Sequence, residues 1–254
     1  MRKFILCLLF MVFLSPGLAA SANIEEVYVG ELSPLIVIDA HRGIHGSAVE
    51  IVSTIMDMAD NTLTAGDFKD IIWARALETV KSHSGTAIIC LARTPQRERI
   101  YKWVGPVGEV VLGLYAQKNR NMRFRPEDES PKSRIGVVRG SAAAHILLNS
   151  CGMEECDLRF VKDDETQFKM LKKGRLDLIT QSDTGALLTM KKLGFDSNEF
   201  EMVHVLDELK LYLALNIETD DAFVSRLQAA LDGLKQPDDD GNSRFDAIRA
   251  KYRK

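Results

Sequence analysis

The feature that most constrains how this chain can fold is an alternation of strand-like and helix-like periods that stops at a polar stretch and then begins again. Short apolar runs at 26–30, 71–73 and 87–91 read as strands. Between them, Ser47 can cap a helix carrying Val49, Ile51, Val52, Ile55, Met56 and Met58, and residues 75–83 place Ala76, Leu77 and Val80 on one helical face. Such alternation is the mark of an α/β protein with largely parallel sheets. Two apolar strands, 101–105 and 110–116, then follow without a helix between them, and residues 118–132 are crowded with Asn, Arg, Glu, Asp, Ser and Pro, as in a solvated crossing. Beyond it, strands at 134–138, 158–161 and 176–180 alternate with helices at 141–149, 164–173 and 183–193. Residues 200–216 give strand-like runs broken near Asp207-Glu208, and helices at 220–234 and around Phe245, Ile248 and Tyr252 finish the chain. The pattern describes two α/β lobes, and a cleft between lobes is the default place for a ligand.

The amino terminus sets the expected compartment. Arg2 and Lys3 precede an apolar run from Phe4 to Leu14, and small residues Ala19, Ala20, Ser21 and Ala22 follow. Residues 1–22 therefore read as a secretory signal peptide, since the run is too short for a membrane span of roughly 20 residues. The rest is expected to be exported to the periplasm, with no membrane insertion. Formal net charge is −3, with 33 Lys and Arg against 36 Asp and Glu, so no nucleic-acid footprint is expected. Cys151 and Cys156 flank a turn-like spacer and are expected to be able to form a local disulfide, leaving Cys90 as a small apolar core residue within a buried strand. His41, His45, His83, His145 and His204 are scattered, so no metal site and no cofactor are expected.

Two segments carry chemistry. In Thr94-Pro95-Gln96-Arg97-Glu98-Arg99, Thr94 reads as a helix N-cap and Pro95 as the first helical residue. The third helical position favours Glu or Gln, and here it holds Arg97. A cation at the positive end of a helix needs a nearby anion, either a protein carboxylate or a bound ligand. The second segment, Arg134 to Ala143, runs from a buried strand through Gly140 into a helix. Free amides at Ser141 and Ala142 can bind a carboxylate there, or Gly140 and Ser141 merely turn and cap the chain.

In order and spacing these segments resemble the bacterial extracellular solute-binding proteins of family 3, the periplasmic group that binds polar amino acids. Further matches are Ser33-Pro34, Gly46 to Ile51, Trp73 to Leu77, Arg134 to Val137, Gly174-Arg175-Leu176-Asp177 and Leu211 to Ala214, so the resemblance covers nearly the whole chain after residue 22. It implies a type II periplasmic-binding-protein fold: lobe 1 from residues 23–116 plus 209–254, lobe 2 from 117–208, and two crossing strands as hinge. It also implies a monomer that captures a small carboxylated ligand for a membrane permease or sensor, with no catalysis. Arg97 would clasp the ligand carboxylate, with Thr94, Ala92, Ser141 and Ala142 around it.

The sequence departs from the family at the ammonium end. The acidic residue expected after Gln181 is Ser182, with Asp183 one place later, able either to hold the ligand ammonium or to cap its helix. Leu32 stands where many members carry an aromatic, which Trp73 can replace as the cleft wall. Thr86 stands where the family commonly has Asp. Two rival functions follow. One is a dehydratase-like enzyme on the same fold, with Asp183, Glu31 or His41 as its acid or base; the other is a sensory or assembly protein that no longer binds amino acids.

Overall fold

The computed structural model describes residues 23–125 and 133–252. The expected signal peptide and the second half of the polar crossing lie outside the described residues. Strand β1 (Glu26–Val29) is followed by a small hairpin, β2 (Val37–Asp39) and β3 (Gly43–His45), and by helix α1 (Ser47–Met58). Then come β4 (Lys69–Asp70), α2 (Trp73–Ser82) and β5 (Thr86–Ala92). Gly46 rather than Ser47 is the α1 cap, and Ser47 is the first helical residue. Of the α1 stripe expected from sequence, Met58 in the last turn is exposed, whereas Val49, Ile51, Val52, Ile55 and Met56 are buried. Burial of each such side chain stabilises the fold by about 1.5–3 kcal/mol.

A 17-residue strand, β6 (Tyr101–Gln117), replaces the two separate strands expected at 101–105 and 110–116. It pairs along its length with a second 17-residue strand, β10 (Phe200–Asn216). Each long strand satisfies the other's backbone groups, so neither Pro106 in β6 nor Asp207-Glu208 in β10 has to end it. Register shifts near Met202, Val205 and Leu211 absorb the irregularity.

Between the long strands, the chain forms β7 (Ile135–Val138), α3 (Ala142–Asn149), β8 (Leu158–Val161), α4 (Asp164–Lys172), β9 (Leu178–Ser182) and α5 (Asp183–Lys192). Helices α6 (Asp221–Lys235) and α7 (Arg244–Lys251) close it. The principal sheet runs β4-β1-β5-β10-β6-β9-β7-β8. Its outer triplets are parallel within themselves, while the β6–β10 ribbon joins β5 and β9 antiparallel.

One hydrogen-bonded sheet thus serves separate cores. Val104, Val107, Val110, Leu211, Leu213 and Leu215 pack with α1 and α6 in one, whereas Leu112, Leu114 and Ala116 pack with β7 and α3 in another. The ribbon's apolar side chains change allegiance between Val110 and Leu112, and Leu209 touches both cores.

Three further expectations are corrected. Residues 71–73 are not a strand: pairing with β1 ends at Asp70, and Trp73 opens α2. Residues 95–100 form consecutive turns rather than a helix, with Arg97 N–H donating to Thr94 O at 2.9 Å and Ile100 N–H to Arg97 O at 3.0 Å. Six residues before β6 are too few to propagate a helix against its nucleation cost. Cys151 and Cys156 are free thiols. Gly152 turns the chain at φ 66°, and a turn at residues 155–157 closed by Glu154 N–H to Asp157 holds Cys156 out in solvent while Cys151 packs partly against the core.

Candidate ligand-binding cleft

The ribbon sets the two groups of strands side by side, and a cavity of about 800 Å³ opens where their carboxyl ends converge. Its walls come from the loop after β1, the start of α2, the end of β5, the middle of the ribbon, the starts of α3 and α4, and the β9–α5 junction. Of the residues anticipated from sequence, Arg97, Ala92, Ser141, Ala142, Ser182, Leu32 and Trp73 line it. Thr94 and Asp183 are not among its lining residues.

Arg97 is 5 % exposed and comes from the turns between β5 and β6. Nη1 donates to Ala92 O at 2.9 Å, and Nη2 to Gly140 O at 2.6 Å. No carboxylate among the described residues pairs with it. The nearest acid in sequence, Glu98, is taken by Arg93, whose Nε donates to Glu98 Oε2 at 2.7 Å and whose guanidinium lies over the Trp103 and Tyr212 rings. Burial lowers the Arg97 pKa to about 10, so it stays cationic at neutral pH. Carbonyl dipoles solvate a buried guanidinium without neutralising it. Thr94 does not act as the expected cap: its hydroxyl is buried with no hydrogen-bond partner.

At the second segment the turn and the cap form as expected from sequence, but the Ser141 N–H, expected to be free, donates to Val138 O at 3.1 Å. Gly140 takes φ 71°, a region open to Gly at little cost, and so delivers the chain from β7 into α3. Ser141 is the N-cap, with Oγ accepting from Ala144 N–H at 3.3 Å. The amides of Ala142 and Ala143 occupy the first two helical positions, where an α-helix offers no partner, and both residues face the cavity. His145, one turn on, has its pKa lowered by burial and by Arg97, which favours a neutral ring. The start of α3 therefore adds donors but no competing anion.

Trp73 forms a wall close to the backbone of Gly30. A Cβ on residue 30 would stand 2.9 Å from Trp73 Cε3, so glycine is needed for the ring to lie there. Leu32 packs beside the first core and supplies apolar surface. At the β9–α5 junction, Ser182 rather than Asp183 is the cap, with Oγ accepting from Gly185 N–H at 3.1 Å. Asp183 is the first residue of α5, and its Oδ1 accepts from Val111 N–H at 3.4 Å.

Asp164 and Gln181 also line the cavity and were not anticipated. Asp163 caps α4, accepting from Thr166 N–H at 2.7 Å, which leaves Asp164 as the first helical residue. Asp164 Oδ1 accepts from Gln167 Nε2 at 3.0 Å. Burial, aided by Asp163 and Glu31, raises its pKa to about 6, while the amides of Gln167 and Gln181 partly oppose the rise. Gln181 is 2 % exposed; its Nε2 lies near enough to favour the charged carboxylate but makes no hydrogen bond of normal geometry. Two of the cavity's other acids are neutralised together: Lys192 Nζ lies 2.9 Å from Glu31 Oε2 and 2.9 Å from Glu165 Oε1.

No family model matches the chain, and no curated protein does. Solved structures do match. A mutant of the arginine-binding protein of T. maritima is 17% identical, aligns over 91% of this chain and 95% of its own, and gives a TM-score of 0.72. The chain has the periplasmic-binding-protein fold. A histidine kinase sensor domain described as similar to periplasmic binding proteins is 17% identical, with 91% and 97% covered and a TM-score of 0.73. A solute receptor for L-cysteine of Neisseria gonorrhoeae is 19% identical, with 91% and 89% covered and a TM-score of 0.70. The α/β architecture expected from sequence is the one these binding proteins share. Among the described residues, no helix is long and apolar enough to cross a membrane.

Proposed function

We propose that this protein is a periplasmic solute-binding protein that captures a small carboxylated ligand, an amino acid or related organic acid, and hands it to a transporter or sensor. The observation that carries the reading is Arg97: a buried guanidinium in the cavity wall, bonded to two carbonyls and to no carboxylate among the described residues. A ligand carboxylate there neutralises the charge, with the amides of Ala142 and Ala143 as further donors. Solved neighbours described as arginine-bound or as receptors for L-cysteine support an amino-acid ligand, and the sensor-domain neighbour supports a signalling outlet.

Capture proceeds by closure of two bodies, residues 23–116 with 209–254 and residues 117–208, about the β6–β10 ribbon. The change of core between Val110 and Leu112 and at Leu209 supports a hinge there. The Arg97 bond to Gly140 O and the Lys192 pair with Glu31 join the two bodies across the cleft. The cavity's Asp164 and Ser182 are held by amides rather than paired with a nucleophile or base, which favours a receptor over an enzyme.

The test is calorimetry with carboxylated ligands selected by thermal shift. Arg97→Ala is expected to weaken binding by about 2–5 kcal/mol, the range for removing one partner of a buried charge pair. Unchanged affinity overturns the reading.

A further inference from the structure

Apart from its charged groups, the cavity has an apolar wall whose side chains are left uncovered. Leu32, Ile38 and Leu209 pack on the margin of the first core, remain partly exposed and line the cavity. Trp73 extends the wall at the start of α2, where the preceding Ile72 is 64 % exposed, and Leu188 lines the cavity from α5 at 37 % exposure. Six large apolar side chains among the described residues are exposed, and two of them, Ile72 and Leu188, line this one cavity. Apolar surface kept in water is costly, and where it gathers in a groove it marks a binding site.

The wall is assembled from separate elements, each anchored elsewhere. Ile38 belongs to the β2–β3 hairpin, which pairs with itself rather than with the principal sheet and rests on the first core through Ile38 and Ile44. Leu209 stands at the point of the ribbon that touches both cores. Gly30 leaves the room that the Trp73 ring fills. Most of the wall is therefore preformed on the proposed body of residues 23–116 with 209–254, and Leu188 is the contribution of the other.

The polar groups next to the wall in sequence are engaged or wet. Glu31, beside Leu32, pairs with Lys192 at 2.9 Å. Asp39, beside Ile38, accepts from the N–H groups of His41 and Arg42 at 2.8 and 2.9 Å within its own hairpin. Ser33 Oγ donates to Ile36 O at 3.5 Å. Asp70, two residues before Ile72, is exposed, and ion pairs formed in water add little. An amide or ammonium laid on the wall loses water without gaining a buried partner, whereas an alkyl group gains with the area it covers.

We propose that the wall of Leu32, Ile38, Trp73, Leu188 and Leu209 receives an apolar group of the ligand, so that this cleft selects carboxylates with an apolar side chain over those with a cationic or amide one. Such selection rests on the reading of Arg97 as the clasp for the ligand carboxylate.

The experiment uses three pairs of similar size and different polarity: L-leucine with L-asparagine, L-norleucine with L-lysine, and 4-methylpentanoate with succinamate. Affinities are measured calorimetrically at pH 7.5 for the wild type, Leu188→Gln and Arg97→Ala. The wild type is expected to bind the apolar member of at least one pair about tenfold or more tightly than its polar partner. Leu188→Gln should shrink that ratio, and circular dichroism checks that the variant, altered at an exposed position of α5, is folded. A wild type that prefers no apolar member overturns the proposal, and so does an undiminished ratio in Leu188→Gln; in either case, binding lost in Arg97→Ala leaves the carboxylate clasp standing. If the apolar preference is found and Arg97→Ala keeps full affinity, the clasp fails and the apolar wall stands. Wild-type protein that binds no member of any pair overturns both.

Discussion

Asp177 is the most heavily used carboxylate among the described residues, and its replacement gives a stability change whose pH dependence is fixed in sign. It stands just before β9, with its side chain 10 % exposed. It accepts from the Arg134 backbone N–H, Nε and Nη2, each at 2.9 Å, and pairs with Arg120 Nη2 at 2.8 Å. It therefore ties the start of β7 to the start of β9, the strand whose far end carries Gln181 and Ser182. These bonds, those from Arg134 foremost, lower its pKa from 3.8 to about 2. A displacement of nearly two pH units corresponds to about 2.5 kcal/mol, which screening at the partly exposed Arg134 and Arg120 reduces to roughly 1–2 kcal/mol. Because the folded value lies below the unfolded one, this contribution is complete above about pH 4 and is lost as pH falls towards 2. Asp177→Asn is expected to lower stability by that amount at pH 7, or the melting temperature by about 2–8 °C for a chain of this size. Urea unfolding followed by circular dichroism at pH 7 and at pH 2.5 measures the gap. A wild-type advantage that is the same at both values refutes the argument.

Asp164 should show the opposite sign. Burial raises its folded value to about 6, so the native state is penalised as pH rises from about 4 through 6; Asp164→Asn should stabilise the ligand-free protein by roughly 1–3 kcal/mol at pH 7.5 and by little at pH 4, as read by urea denaturation. Lys192→Met should change stability by less than about 1 kcal/mol, since Lys192 is half exposed, but it removes the pairing of Glu31 with α5 across the cleft. Small-angle X-ray scattering should then report a larger radius of gyration, and an unchanged curve would count against that pair as a clasp between the two proposed bodies.

Much of the fold was legible because it is written in local periodicity. The α1 stripe, the Gly140-Ser141 turn into α3 and the renewed alternation after the polar crossing each express a pattern that short-range packing must satisfy. Two of the failures show where local signals lose. Around Thr94, good local helix signals met too short a connection between β5 and β6, and turns won. At 101–116 and 200–216 the expected strands were interrupted, between 105 and 110 and near Asp207-Glu208, whereas two 17-residue strands pair through both interruptions.

The site divides along the same line. Arg97 was singled out as a cation at the start of an expected helix, and although turns replace that helix, the residue does line the cavity. Nothing local separates Asp163, Asp164 and Glu165, three adjacent acids at a helix start. Their fates diverge only once Thr166 N–H takes the first, Gln167 takes the second, and Lys192, salt-bridged to Glu31 161 residues away in sequence, takes the third. Amino-acid order determined where helices and strands form, since propensity and periodicity act over a few residues. Which charges remain unpaired was decided by the folded arrangement, because Coulomb energy and desolvation depend on neighbours that only the assembled sheet brings within a few ångströms.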